Sequence, residues 1–310
     1  EEVRSFLSRK EDLQPLIAIY LQIYFSLLHP KHESYLDELM ELIRRHSDDI
    51  HSLELRDIYL YAINFCVRKI REGKEKYIAI TLDLYEEGIH NKSLYDDKNH
   101  VSHWTYNNMV KLALRLKRFT WIEKFIHEYN GTLKQSVRAD ALHYNLAELF
   151  FHKRDYGQAL QHLNQVHFSD INYHLGSRML LIKTFYEMDD IEPLLSILAS
   201  FSVWLRRNRN ISANLKKSCL HFCSLLHKVL NNNPRKRELI QQKIRETQPL
   251  ADRPWLMKIF EERKMKKKWR TSGPQKKKKK NVLIWNKHYS YKIEGRCEIT
   301  EVIQLLFDYQ

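Results

Sequence analysis

The sequence predicts an all-α fold, an α-solenoid built from antiparallel helix pairs. Two observations carry that expectation. Glycine and proline number only seven each among 310 residues, well below their usual shares of about 7% and 5%, so there is little material for tight β-turns or phosphate loops. Apolar residues at helical spacing also recur in blocks about 35 residues apart, as stacked supersecondary units do.

The first element is a helix pair, Leu13–Leu28 and Tyr35–Arg45, parted by Pro30. Its run Leu16–Leu28 is the most apolar in the chain and contains Gln22. At about 13 residues it falls short of the ~20 that a membrane span needs, and a buried helix is expected. A loose repeat follows, with Ile63 to Ile70, a break at Glu72-Gly73-Lys74, then Tyr77, Ile80 and Leu84. A clearer one has Met109, Val110 and Ala113, a break around Lys117-Arg118, then Phe119, Ile122, Ile126 and Tyr129.

The best copy comes next. Leu146, Ala147 and Phe150 share one helical face by i, i+1, i+4 spacing, and Ala159, Leu163 and Val166 share another by i, i+4, i+7. The polar link His152-Lys153-Arg154-Asp155 is too short for anything but an antiparallel αα-hairpin. Small Ala159 marks the closest helix–helix approach. A further copy has Leu181, Ile182 and Phe185, a break at Asp189-Asp190, then Ile191, Leu194, Leu198 and Phe201. After Ser212, an N-cap residue, Leu215–Leu230 reads as a helix ending at Asn231-Asn232-Asn233-Pro234. Arg235–Glu246 reads as one more, which caps the stack. The folded body is expected to end near Phe260.

The period and the order of apolar, small and aromatic positions resemble the tetratricopeptide-repeat family. Leu146, Ala147, Phe150, Tyr156 and Ala159 fall on its Leu, Gly/Ala, Tyr, Tyr and Ala signature positions, and Leu163 and Val166 on the next two. Ile171 stands where proline is usual, and the signature Trp and Gly are missing from this copy. The resemblance covers units near 57–90, 102–135, 139–171 and 174–207, about 150 residues in all. The chain is also similar to an uncharacterised bacterial helical-repeat family, which implies no function.

The resemblance implies a right-handed solenoid over residues 1–262, capped by 212–260, that binds a peptide or protein segment without catalysis. The first helix of each pair then lines a concave groove. The groove positions are Asn107, Lys111 and Arg115 in one unit, Tyr144, Glu148, Phe151 and His152 in the next, and Met179, Lys183 and Tyr186 in the third. Asn, Lys and Arg at such places resemble polar clamps for peptide carboxylates, while Tyr144, Phe151 and Tyr186 add apolar contact area.

The net charge of +14 is unevenly placed. Residues 263–280 hold eleven Lys or Arg, Lys276, Lys277 and Lys278 among them, and no acid. This basic, low-complexity linker and Arg206, Arg207 and Arg209 of the WLRRNRN segment offer phosphate contacts. They support an alternative, an RNA- or other nucleic-acid-binding helical-repeat protein. The same arginines also suit a helix C-terminus, where cations complement the macrodipole. Residues 281–310 match no copy of the repeat and read as a small separate segment.

Cys66, Cys219, Cys223 and Cys297 are too few and scattered for a disulfide framework and fit a reducing cytoplasm. The chain opens on Glu1-Glu2, with no leader expected. Cys219, Cys223 and His227 share a helix face and have the chemistry of zinc ligands. The same spacing makes a core stripe, in which free Cys acts as a small hydrophobe, and core packing is expected. His90, His100 and His103, with Asp96 and Asp97, crowd one loop, which is expected to be solvated. No dinucleotide, P-loop, nucleophile-elbow or H-E-x-x-H motif occurs. The expectation is no enzyme, no cofactor and no metal.

Overall fold

The computed structural model describes residues 14–167, 170–231 and 234–266. Their regular structure is helical, apart from one isolated bridge between Tyr95 and Val101. The α-helices are α1 (Pro15–Leu28), α2 (Ser34–His46), α3 (Ser52–Arg71), α4 (Lys76–His90), α5 (His103–Arg115), α6 (Phe119–Tyr129), α7 (Gln135–His152), α8 (Tyr156–Leu163), α9 (Ile171–Glu187), α10 (Ile191–Arg207), α11 (Ala213–Asn231), α12 (Arg237–Glu246) and α13 (Arg253–Lys266). Lys276, Lys277, Lys278 and the whole of 281–310 lie outside the described residues. No helix among those described is long and apolar enough to cross a membrane.

The chain divides into two compact units between Asp189 and Asp190, inside the expected unit 174–207. In the N-terminal unit, α1 packs on α2, α3 on α4, α5 on α6 and α7 on α8. The first helices also meet one another, α5 against α7 and α7 against α9. In the C-terminal unit α11 packs on α10, α12 and α13. Its interior is Leu198, Phe201, Cys219, Phe222, Leu226, Trp255, Leu256 and Ile259. The Arg253 guanidinium donates to the carbonyls of Ile244, Arg245 and Thr247 and so satisfies the end of α12.

The helix ends have local causes. Ser102 Oγ accepts the amides of Trp104 and Thr105 at 3.1 and 3.3 Å. Asp155 accepts that of Gln158 at 3.1 Å, Asp170 that of Asn172 at 2.7 Å, and Ser212 that of Leu215 at 3.3 Å. Each is an N-cap that gives an orphan amide a partner.

One turn recurs at the expected breaks. Gly73, Lys117, Arg154 and Asp189 all have positive φ. In the first three the amide of that residue and the next reach back to the preceding helix: Gly73 to Ile70 and Lys74 to Lys69, Lys117 to Leu114 and Arg118 to Ala113, Arg154 to Phe151 and Asp155 to Phe150. That is the Schellman arrangement. Three of the four positions are not glycine, so the left-handed conformation is imposed by the hairpin and not by residue preference.

Four expectations need correction. The run Leu16–Leu28 is buried on one face only: Ile19 and Ser26 are inside, while Ile17, Tyr20, Tyr24, Leu27 and Leu28 are exposed. Helix α3 begins at Ser52, ahead of the expected unit. Helix α8 stops at Leu163, short of Val166, where Asp140 Oδ1 takes the His167 amide at 2.6 Å and draws the chain onto α7. Helix α13 is an element of its own and enters the basic stretch that begins at Arg263.

Candidate functional site

The expected groove positions lie on α5, α7 and α9. Asn107, Tyr144, Glu148, Met179, Lys183 and Tyr186 are buried, and Lys111, Arg115, Phe151 and His152 are half-buried. The polar ends of this set are therefore largely enclosed by neighbouring helices, with the half-buried members at the edge.

Glu148 is at the centre. It is 4% exposed, and its Oε1 accepts the Tyr144 hydroxyl at 2.7 Å. Its Oε2 makes no hydrogen bond among the described residues. His152 Nδ1 stands 3.9 Å from that oxygen and 2.9 Å from the Glu148 carbonyl. Burial by itself would raise the carboxyl pKa. The charges of Lys111, His152 and Lys183 and the Tyr144 hydrogen bond outweigh it, and the group is held below its ordinary value. Burial, then the charge on Glu148, pushes the Tyr144 phenol well above its own. Lys111 Nζ lies 6.0 Å from the centre of the Tyr144 ring, within cation–π range. A buried carboxylate thus stays ionised between lysines from two other helices.

Beside it Asn107 Oδ1 accepts from Asn145 Nδ2 at 2.7 Å and from the Tyr173 hydroxyl at 3.3 Å, joining α5, α7 and α9. Tyr144 and Tyr173 meet edge to face at 5.6 Å. Gly176 makes room: a Cβ there would lie 2.8 Å from the Tyr144 hydroxyl oxygen. Sequence reasoning did not single out Asn145, Tyr173 or Gly176. Their one signal is a polar, aromatic or glycine residue on the inward face of a helix.

Lys111 on α5, Glu148 on α7 and Lys183 on α9 stand 37 and 35 residues apart in the sequence. Comparison with protein-family models, with curated proteins and with solved structures finds no match for this chain.

The other candidates separate. Arg206, Arg207 and Arg209 are exposed at the end of α10, and Lys216 Nζ donates to the Asn208 carbonyl at 2.5 Å. This is a cationic helix C-terminus. Cys219 and Cys223 are buried, which pushes their thiols up to about 12 and about 11, while His227 is exposed on the same helix. Asp96 Oδ1 accepts the amides of Lys98 and His100 at 3.0 and 2.9 Å, so the histidine-bearing loop is an ordered turn. These bonds hold the Asp96 carboxyl below its ordinary value. Among the described residues no three His, Cys, Asp or Glu are grouped to hold a metal.

Proposed function

We propose that the chain is a non-enzymatic interaction scaffold. In this reading the helix pairs of the N-terminal unit form a right-handed, tetratricopeptide-repeat-like α-solenoid, and the face of α5, α7 and α9 holds an acidic or C-terminal segment of a protein partner. The observation that carries it is the cluster at Glu148, where α5, α7 and α9 supply Lys111, Glu148 and Lys183. Such convergence needs first helices that stack, and α5, α7 and α9 pack in that order. Glu148 anchors the lysines, and half-buried Lys111 and Arg115 present cationic surface at its edge, where a carboxylate gains charge-assisted hydrogen bonds. A cytoplasmic setting goes with this reading, because Cys66, Cys219 and Cys223 are buried free thiols.

Fluorescence anisotropy with labelled acidic and neutral peptides carrying free C-termini tests it. The acidic set should bind, and Arg115→Gln should weaken binding while leaving the melt in place. Equal affinity for both sets defeats the reading. The exposed arginines of α10 favour a second reading, nucleic-acid binding. It requires capture of a single-stranded RNA oligonucleotide that weakens steeply with salt and is lost when Arg206, Arg207 and Arg209 become Ser.

A further inference from the structure

Helix α1 carries an apolar stripe that is exposed among the described residues of the N-terminal unit. Ile17, Tyr20, Tyr24, Leu27 and Leu28 are each 45–53% exposed. At 3.6 residues per turn these five positions fall within roughly 100° of the helix surface and extend along about 16 Å. Scattered single apolar residues on a surface need no explanation, but a contiguous stripe does. No other described helix exposes more than one or two large apolar side chains.

Two properties select the occupant. The helix PLIAIYLQIYFSLL has no charged side chain at all. A basic or acidic partner would meet nothing of opposite sign there. A surface-lying membrane helix normally carries Lys or Arg on its polar face, and α1 has none. An uncharged stripe can meet its own copy without like-charge repulsion, as a two-fold interface requires. The exposed area points the same way. Five half-exposed side chains offer on the order of 500 Å² per copy, so full coverage of the stripe buries roughly 1,000 Å² for a pair, the floor for a specific interface.

We infer that α1 is a homodimer interface, in which two copies cross antiparallel through this stripe. The antiparallel crossing sets Ile17 near Leu28 of the second copy and brings the two Tyr20/Tyr24 pairs together at the axis. The two tyrosines keep hydroxyls at the rim, where water reaches them. An interface of this size forms a weak dimer that exchanges with monomer.

Sedimentation velocity of the full chain over a concentration series is the test, with Tyr24→Glu and Leu53→Glu as variants. Leu53, at 55%, is as exposed as the stripe but lies on α3. Wild type should shift from monomer to dimer as concentration rises. Tyr24→Glu puts two carboxylates beside the axis and should weaken the dimer by at least about tenfold, and Leu53→Glu should match wild type. Circular-dichroism melts confirm that both variants fold. A wild type that stays monomeric at every concentration overturns the inference, as does a Tyr24→Glu chain that still dimerises like wild type. A monomer that co-sediments with phosphatidylcholine vesicles overturns it in favour of a lipid surface.

Discussion

Helices α1 and α9 are built on opposite plans. The first has no charge and turns Ile17, Tyr20, Tyr24, Leu27 and Leu28 to solvent; the second buries Tyr173, Ser177, Lys183, Thr184 and Tyr186. The difference lies in what each packs against. Helix α9 meets both helices of the preceding hairpin, α7 and α8, whereas among the described residues α1 packs mainly on α2. A helix enclosed from two sides holds polar groups inside only if they find partners. Glu148 and Asn107 belong to the polar layer that α9 closes. A helix covered on one side keeps an apolar face only if something else covers it. The contrast teaches that burial follows the number of packed neighbours more closely than the hydrophobicity of the segment.

Removing the centre of the polar layer is the most severe way to break this contrast. Glu148→Ala leaves Lys111 and Lys183 without their buried counter-charge and should cost about 3–5 kcal/mol in urea melts. Glu148→Gln keeps an acceptor for Tyr144 and should cost less. Equal melts for Glu148→Ala and wild type would mean that the buried charge is not coupled to its neighbours.

Overpacking the same layer comes next. Gly176→Ala forces its new methyl against Tyr144, and Ala159→Leu, outside that layer, enlarges a fully buried side chain of α8. Each should destabilise by about 1–3 kcal/mol. If the Gly176→Ala chain melts like wild type, Tyr144 has room to move and the layer is looser than its distances indicate.

Acid should act on the buried side of the comparison. His143 and His162 stand 3.2 Å apart, Nδ1 to Nδ1, between α7 and α8, and His162 stacks on Phe150. Burial first, then neighbouring histidines (His167 for His143, and His143 and His127 for His162), lower both pKa values below 6.5, with Asp140 opposing at His143. The sign follows from linkage. Below about pH 6.5 the unfolded chain takes up protons that the folded chain resists, so stability is highest above that pH and falls as pH drops. Burial lowers His103 as well and brings His174 down to about 3. Replacing His143 and His162 by Gln should therefore shrink the loss of Tm between pH 7.5 and 5.5 without removing it. An unchanged loss would place the acid sensitivity elsewhere.

The smallest effect belongs to α1. Leu27→Ser alters a side chain that is already half in water and should move the melt of a dilute monomer by no more than about 0.5 kcal/mol. A larger drop at low concentration would show that the stripe is covered within its own chain.

Much of the helical frame was legible in the residues. Scarce Gly and Pro, 3.6-residue apolar spacing and polar breaks at Lys117, Arg154 and Asp189 are local signals, and the cap at Ser212 acts within one turn. The site was legible in part. Helical spacing pointed to Lys111, Glu148 and Lys183, and the structure places them on α5, α7 and α9 with both lysine charges acting on the carboxylate. Spacing alone did not show that Glu148 lies inside, or that Asn145, Tyr173 and Gly176 complete its surroundings.

The sequence by itself determined that the chain is helical and where the polar breaks at Lys117, Arg154 and Asp189 fall, since these depend on backbone geometry and on neighbours a few residues away. Tertiary structure decided the rest: that the charged positions of α7 and α9 are enclosed, that the apolar face of α1 is exposed among the described residues, and that α8 ends early where Asp140 takes the His167 amide. These outcomes depend on which helices pack on which. Side-chain periodicity specifies the face that is apolar, and only the neighbouring helices decide which face is covered.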